Sequence, residues 1–504
     1  MANGTNKLRL VRLGIDTLHE FKIYIRKDCF VCKSEGFETE TQVLASVNGH
    51  SIIATLNVIQ SDILQIDEAS LSESAWNYLG IKEGDYVTLS HAPQVTSLKY
   101  VRSKIYGNTL GQDDFYEIIH DIVQGKYSNI HLSSFITACA RDNLNLDEII
   151  YLTHAMIKTG DQLTWDYPSI MDKHSVGGIP GNRTTPIVVA IVASAGLIIP
   201  KSSSRAITSP AGTADTVETM TPVTLSTAQI RQVVDSEGGC MVWGGSLGLS
   251  PADDIIIRVE RSLDIDPDGQ MIASVLSKKA AMGATDVVID IPVGPTAKVR
   301  SDELFIKLEK YFIFIGKAVG LNVYVLKSDG IQPLGKGIGP ALEAKDILSI
   351  LRNENHNLSE LKNKSLKLAA ILLEAGKKAT PGEGFNLAKK ILDDGSAYKK
   401  FLAICEAQGG FREPPSAAYT HDIIATHSGN VIEIDNRNLS LVAKLAGAPH
   451  DAAAGIEFFA KQGTYIEKGQ TLYRVHADSK GELNYALNFA KTMPDIVKIS
   501  RGAK

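Results

Sequence analysis

From residue 1 to about 92 the apolar positions alternate or gather in short β-branched runs, as in L-R-L-V-R-L-G, F-K-I-Y-I and H-S-I-I-A-T-L-N-V-I. A period of two predicts strands, and L-G-I-K-E-G-D-Y-V-T-L-S reads as a turn feeding one more. The segment is expected to form a small β-barrel of the double-psi kind, with P-Q-V-T from Pro93 as a linker. Between about 100 and 165 the period lengthens to three or four. D-F-Y-E-I-I-H-D-I-V-Q-G and L-D-E-I-I-Y-L-T-H-A-M-I-K-T-G each carry one apolar face and stop on glycine, which predicts helices. From 166 to about 415, helical patterns alternate with short apolar strands such as D-V-V-I-D-I and N-V-Y-V-L, which suggests an α/β sheet. After Tyr419 strands return, and a small α+β domain built on hairpin turns is expected. No low-complexity tract or solenoid period interrupts the chain.

A chain of 504 residues is too long for one core and predicts two to four domains. Its formal net charge of −5 argues against a general nucleic-acid binder, which needs a basic surface. The N-terminus has no apolar signal core, and no run reaches the ~18 to 20 apolar residues of a membrane span, so a cytoplasmic protein is expected. The cysteines Cys29, Cys32, Cys139, Cys240 and Cys405 are sparse and odd in number, which fits reduced thiols. Cys29-Phe-Val-Cys32 has C-x-x-C spacing, but no second pair or nearby histidine completes a zinc set. Two strand thiols or a local redox pair is the reading, and no metal site is expected.

The chemistry concentrates in loops. D-K-H-S-V-G-G-I-P-G-N-R-T-T-P, residues 172–186, joins basic and hydroxyl side chains to bare backbone just before the apolar run I-V-V-A-I-V-A-S-A-G. Thr185-Pro186 reads as an N-cap followed by proline at the first helical position, and a helix N-terminus favours anions. Lys173 can add charge, and Ser175 and Thr184 can add donors. The bland reading is a tight turn whose polar residues only cap the helix. A second loop, residues 202–215, repeats the formula with hydroxyls, Arg205 and Gly212. Two such loops can converge at one end of an α/β sheet, where ligands bind. Asp264, Asp266 and Asp268 precede a helix on which Ser274 and Lys278 lie four apart and share a face. Helix-start capping is the default role for those carboxylates. Lys298 follows the strand end V-G, where a lone lysine is usually solvated.

Together these segments resemble the thymidine phosphorylase family of pyrimidine nucleoside phosphorylases, over roughly residues 95 to 500. The family's K-H-S-x-G-G stands at 173–178. Its second loop stands as Ser203, Arg205, Gly212 and Thr213, its S-K-K helix as 277–279, and its Q-P-L-G-x-x-x-G as 332–339. Nucleoside-specific members read the pyrimidine with an arginine where an ungapped count here places Val259, although Arg258 and Arg261 lie close by. S-R-A-I-T-S-P-A-G-T, the R-T-T-P run, Asp266 and the extra N-terminal segment look instead like the family's archaeal-type AMP phosphorylase branch.

The resemblance implies a multidomain α/β protein. Its parts are a barrel-like assembly domain (1–92), a helical domain (93–165 with about 250–283), a phosphate-binding α/β domain (166–249 with 284–418) and a C-terminal α+β domain (419–504). It implies phosphorolysis of AMP, with CMP and UMP as further substrates, to free base and ribose 1,5-bisphosphate. Asp266 would be the general acid that protonates the leaving base, with its pKa raised by burial or by Asp264 and Asp268. Lys173, Ser175, Thr184, Ser203 and Thr213 would hold inorganic phosphate, the co-substrate. Gly178, Ser204, Arg205, Ala206, Ile207, Thr208, Ser209, Thr213, Ser274 and Lys298 would line the AMP site, with Arg205 or Lys298 on the 5′-phosphate. No cofactor or metal is implied. The implied partners are copies of this chain, dimerising through the helical domain and forming larger assemblies through the barrel. The alternatives are a pyrimidine nucleoside phosphorylase, a magnesium-dependent phosphoribosyltransferase, or a nucleotide-binding scaffold without activity.

Overall fold

The computed structural model describes residues 7–17, 20–206, 209–265, 267–354 and 356–500. The chain divides into two compact units, 1–138 and 139–504.

In the first unit six strands close a barrel. Their order is Lys7–Leu10, Glu68–Leu71, Lys22–Arg26, His50–Ile59, Gln42–Val47, Tyr86–His91. Alternation decides the interior: Leu8 and Leu10 are buried while Lys7 and Arg9 face out, and Ile23, Val43, Ala45, Leu56, Val87 and Leu89 complete the core. Closure removes the open edges that a sheet this small would expose. Helices Leu98–Ile105, Gln112–Val123 and Asn129–Cys139 follow, the last ending at the unit boundary.

The two neighbouring thiols do not lie on strands. Cys29 caps the short helix Phe30–Glu35, its sulfur accepting from the Cys32 backbone N–H at 3.2 Å, and Cys32 donates to the Phe37 carbonyl at 3.4 Å. Burial pushes both thiol pKa values up, away from reactive thiolate. The capping geometry needs a polar atom at position 29, and sulfur supplies it.

The second unit is built on parallel strands. Met171–Ser175 and Asn322–Asp329 flank Asp286–Val293, and Ile199–Ser203 pairs with Gly239–Trp243. The bridge Ile170–Ile198 joins the two groups. All the chains run the same way, so Ser175, Ser203, Trp243 and Val293 finish at one edge. Helix Thr185–Ser194 is buried on every side from 185 to 193, as its unbroken apolar run requires. It starts one residue early: Thr184, not Thr185, occupies the cap position. The Thr184 backbone is already helical (φ −81°, ψ −22°) and its hydroxyl makes no cap bond.

Helix Leu146–Lys158 packs along Asp268–Ala281, with Pro251–Leu263 beside it. The C-terminal strands form two antiparallel sheets over helices Asn436–Leu445 and Lys480–Thr492. They are not sequential hairpins. Tyr419–Ile424 pairs with the distant Thr471–Ala477, while the next strand in the chain, Gly429–Ile434, joins the other sheet. Among the described residues no helix is long and apolar enough to cross a membrane.

Candidate active site

A cleft of about 1460 Å³ opens at the edge where the parallel strands end. Its walls collect Lys173, Ser175 and Gly178 from the first loop, and Ser203, Ser204, Arg205, Ala206, Ser209 and Thr213 from the second. Ser274 faces it from the Asp268–Ala281 helix and Lys298 from the loop after Asp286–Val293. The expected convergence of the two loops is present. Thr184 is not on the wall; it is 1% exposed, behind Thr185. Asp266, Ile207 and Thr208 lie outside the described residues.

Buried cations dominate the floor. Asp172 ion-pairs with Lys279 at 2.9 Å and Lys201 at 3.5 Å, and accepts from the Lys173 backbone N–H. Asp290 pairs with Lys364 at 2.8 Å. Arg183 pairs with Glu343 at 2.5 Å. Among the described residues Lys173 has only a long contact to Thr185 Oγ1, 3.4 Å, so the basic groups named here outnumber the acidic ones. Burial therefore pushes the Lys173 pKa down to about 7. Lys364, Arg183 and Lys279 add to that push, and Asp290 opposes it. The same burial, with neighbouring lysines, drives His174 well below its usual range and leaves it neutral. Ser203 Oγ and Thr184 Oγ1 are buried and have no hydrogen-bond partner among the described residues. A dianion in the cleft would balance this charge and give the Ser203 hydroxyl an acceptor.

Backbone geometry fixes the loops. Gly178 has φ +94°, and a Cβ there would collide with the Lys298 backbone nitrogen, so the first loop and the Lys298 loop touch. A Cβ on Gly212 would strike the backbone of Arg205 and Ala206. The helix start after Gly212 is already capped: Asp215 accepts from the N–H groups of Gly212 at 2.8 Å and Ala206 at 2.7 Å. The second loop therefore offers hydroxyls to a ligand more than free helix N–H groups. Arg205 is likewise committed, bonded to Glu218 at 2.9 Å and Asp215 at 3.2 Å and stacked 4.8 Å over Trp243.

Several wall residues escaped the sequence reading. Arg183 links the loops, donating to Thr213 Oγ1 at 2.7 Å and to the Ala211 carbonyl at 2.8 Å. It stood in view within R-T-T-P, but nothing in one chain showed that its partner lay in the other loop. Asn182 Nδ2 donates to Ser175 Oγ at 3.1 Å. Lys278, which the sequence placed on the face of Ser274, is held by buried Asp253 at 2.6 Å, a partner the sequence did not show. Asp254 also lines the cleft. Crowding by the surrounding wall, then Asp253, pushes its carboxyl pKa up against the pull of Lys278, although one side stays open to solvent.

Residues 167–398 match the a/b domain of the glycosyl transferase family, 98–160 its helical bundle domain, and 430–496 the pyrimidine nucleoside phosphorylase C-terminal domain. A Legionella pneumophila (strain Corby) protein named "Putative thymidine phosphorylase" is 52% identical over 490 residues, spanning 97% of this chain and 95% of its own. The chain belongs to the pyrimidine nucleoside phosphorylase family. A second family member, named as thymidine phosphorylase 2 with the same qualifier, comes from Acidovorax sp. (strain JS42). It is 52% identical over 495 residues, 98% of this chain and 96% of its own. Membership makes the chain a pentosyl-transferring enzyme of the phosphorylase kind. The anthranilate phosphoribosyltransferase of Thermus thermophilus shares the fold alone, with TM-score 0.51 and 18% identity over 61% of this chain and 98% of that one.

Proposed function

We propose that this enzyme uses inorganic phosphate to cleave the N-glycosidic bond of a nucleoside 5′-monophosphate. AMP is the preferred substrate, with CMP and UMP as further ones, and the products are free base and ribose 1,5-bisphosphate. The observation that carries the reading is one cleft whose wall holds basic side chains from separate loops, which we read as two stations. Lys173, Ser175, Ser203 and Thr213 line one, over the surplus of buried positive charge. Lys298 and Arg300 line the other, beyond Gly178. Inorganic phosphate takes the first and the substrate's own phosphate the second. We assign the second to Lys298, whose loop meets the first loop at Gly178.

In the reaction the C1′–N bond breaks as a phosphate oxygen bonds to C1′, so positive charge builds on the sugar and negative charge on the base. Asp266 donates a proton to the base, and the proton lost by phosphate restores the balance through solvent. Holding phosphate in line beneath C1′ supplies the orientation term. Ser274 and Lys278 line the same cleft, and we assign them to the base.

A second reading follows the names of the relatives, which favour thymidine, a nucleoside without the 5′-phosphate. Phosphate-dependent base release from AMP, adenosine and thymidine separates the two. Turnover of AMP far above both nucleosides supports the nucleotide reading. Turnover of thymidine with AMP inert removes it.

A further inference from the structure

The polarity of one hydroxyl in the phosphate station is fixed from behind. Asp290 is fully buried and does not reach the cleft. It receives Ser175 Oγ at 2.7 Å, Ser328 Oγ at 2.5 Å and Asn182 Nδ2 at 3.2 Å, and it ion-pairs with Lys364 Nζ at 2.8 Å. Burial works against its charge, but Lys364 and Lys173 outweigh burial and hold its pKa below the usual carboxylate value. An ionised carboxylate has only lone pairs, so every group facing it must donate. The Ser175 proton therefore points at Asp290, away from the cleft.

A serine oxygen has one proton and two lone pairs. Asp290 takes the proton and Asn182 Nδ2 fills one lone pair at 3.1 Å, so Ser175 can show the cleft only its second lone pair. The same contacts orient the Asn182 amide and leave its Oδ1 a buried acceptor without a donor among the described residues. Thr213 is the opposite case: its oxygen accepts from Arg183 at 2.7 Å, so its proton is free to donate. The station thus combines donors, Lys173 and Thr213, with one obligate acceptor, Ser175.

We propose that Asp290 is a positioning residue that holds Ser175 as an acceptor, so that the station selects oxyanions that carry a proton over those that do not. Phosphate and arsenate keep at least one P–OH or As–OH proton throughout the physiological range and can donate it to Ser175. Sulfate and selenate have the same shape and charge but no proton, so their oxygen meets the Ser175 lone pair directly. The inference deepens the phosphorylase reading and rests on phosphate occupying this station.

The test uses the full chain and measures binding of phosphate, arsenate, sulfate and selenate by calorimetry and by competition in the base-release assay. Wild type should bind phosphate at least about tenfold more tightly than sulfate, the worth of one hydrogen bond to a charged group. Arsenate should side with phosphate and selenate with sulfate. Ser175→Ala removes the acceptor, and Asp290→Asn lets an amide N–H donate to Ser175 and free its proton. Each should bring the phosphate-to-sulfate ratio to within about threefold, mainly by weakening phosphate. General damage to the site weakens both anions together and leaves the ratio unmoved. If Asp290→Asn does not fold, Ser175→Ala carries the measurement. Equal binding of phosphate and sulfate by wild type, with phosphate-dependent base release intact, overturns the selection alone. Base release that needs no phosphate overturns the phosphorylase reading and the proposal with it.

Discussion

Arg183 donates to the Thr213 hydroxyl across 2.7 Å and so joins the two loops that line the cleft, where we place phosphate. The other edge of its guanidinium pairs with Glu343, which is 2% exposed. Arg183→Ala strands that carboxylate in the interior, and stripping one partner from a buried pair costs about 3 kcal/mol. The variant should melt several degrees lower, and its KM for phosphate should rise at least about tenfold as Thr213 loses its anchor. Arg183→Lys keeps the charge but not the planar fork, so its effect should fall between the two. Thermal denaturation together with phosphate saturation curves checks both parts, and a phosphate KM unchanged in Arg183→Ala removes the bridging role.

Lys173 should write its titration into the pH profile. Its pKa falls from the ordinary 10.5 to about 7 in the folded protein, chiefly through burial. The folded chain then releases a proton near pH 7 that the unfolded chain keeps until about 10.5. This group's contribution to stability therefore rises with pH through that window and is least favourable below it. Anion binding runs the other way, since it needs the ammonium. The KM for phosphate should climb above pH about 7, and Lys173→Arg, charged throughout, should flatten the climb. Phosphate's own ionisation is common to both proteins, so the difference between their profiles isolates Lys173. Identical profiles refute the assignment.

Much of this was legible in the sequence because it depends on local order. Leu8 and Leu10 alternate with charged neighbours, so the barrel interior could be read off, and the unbroken run from Ile187 marked a helix buried all round. The loops at 173–178 and 203–213 announced themselves by glycine and hydroxyl content. What stayed hidden were contacts between segments far apart in the chain. Asp290 sits 115 residues from Ser175, and it looks like one more strand residue in D-V-V-I-D-I. Arg205 shows the converse. Its charge suggested a phosphate ligand, and only the fold reveals that Glu218 and Trp243 already engage it. The shift of the helix cap from Thr185 to Thr184 is the ordinary one-residue uncertainty of helix ends.

Asp266→Asn keeps the side-chain shape and removes the ionisable proton. Turnover of AMP should fall at least about 10²-fold with little change in AMP binding. Single-turnover kinetics beside equilibrium binding gives both numbers. Retention of near-normal rates would move the acid elsewhere, first to Asp254, which lines the cleft with a raised pKa.

Lys298→Ala should erode the preference for nucleotide over nucleoside. If its ammonium meets the 5′-phosphate, kcat/KM for AMP should drop by about tenfold or more while that for adenosine hardly moves. The comparison of the two substrates in one variant is the informative measurement. An equal loss with both would assign Lys298 to loop structure, through its backbone contact with Gly178.

Removing residues 1–92 should change assembly and spare chemistry. The barrel core runs from Leu8 to Leu89 and is one hydrophobic cluster that draws on no later residue. Its tie to the following helices includes an exposed hydrogen bond from Asn129 to Glu20, the weak kind of link a surface tolerates losing. The cut spares the buried bond from Ser97 to Asp121 at 2.6 Å, which holds the start of the helical segment. Every described residue assigned to phosphate or nucleotide lies between Lys173 and Arg300. The truncated protein should therefore scatter light as a smaller particle, a dimer, and still release base from AMP in the presence of phosphate. A truncated protein that remains folded and dimeric yet binds no AMP would make the barrel part of the site, and the division between assembly and chemistry would have to be abandoned.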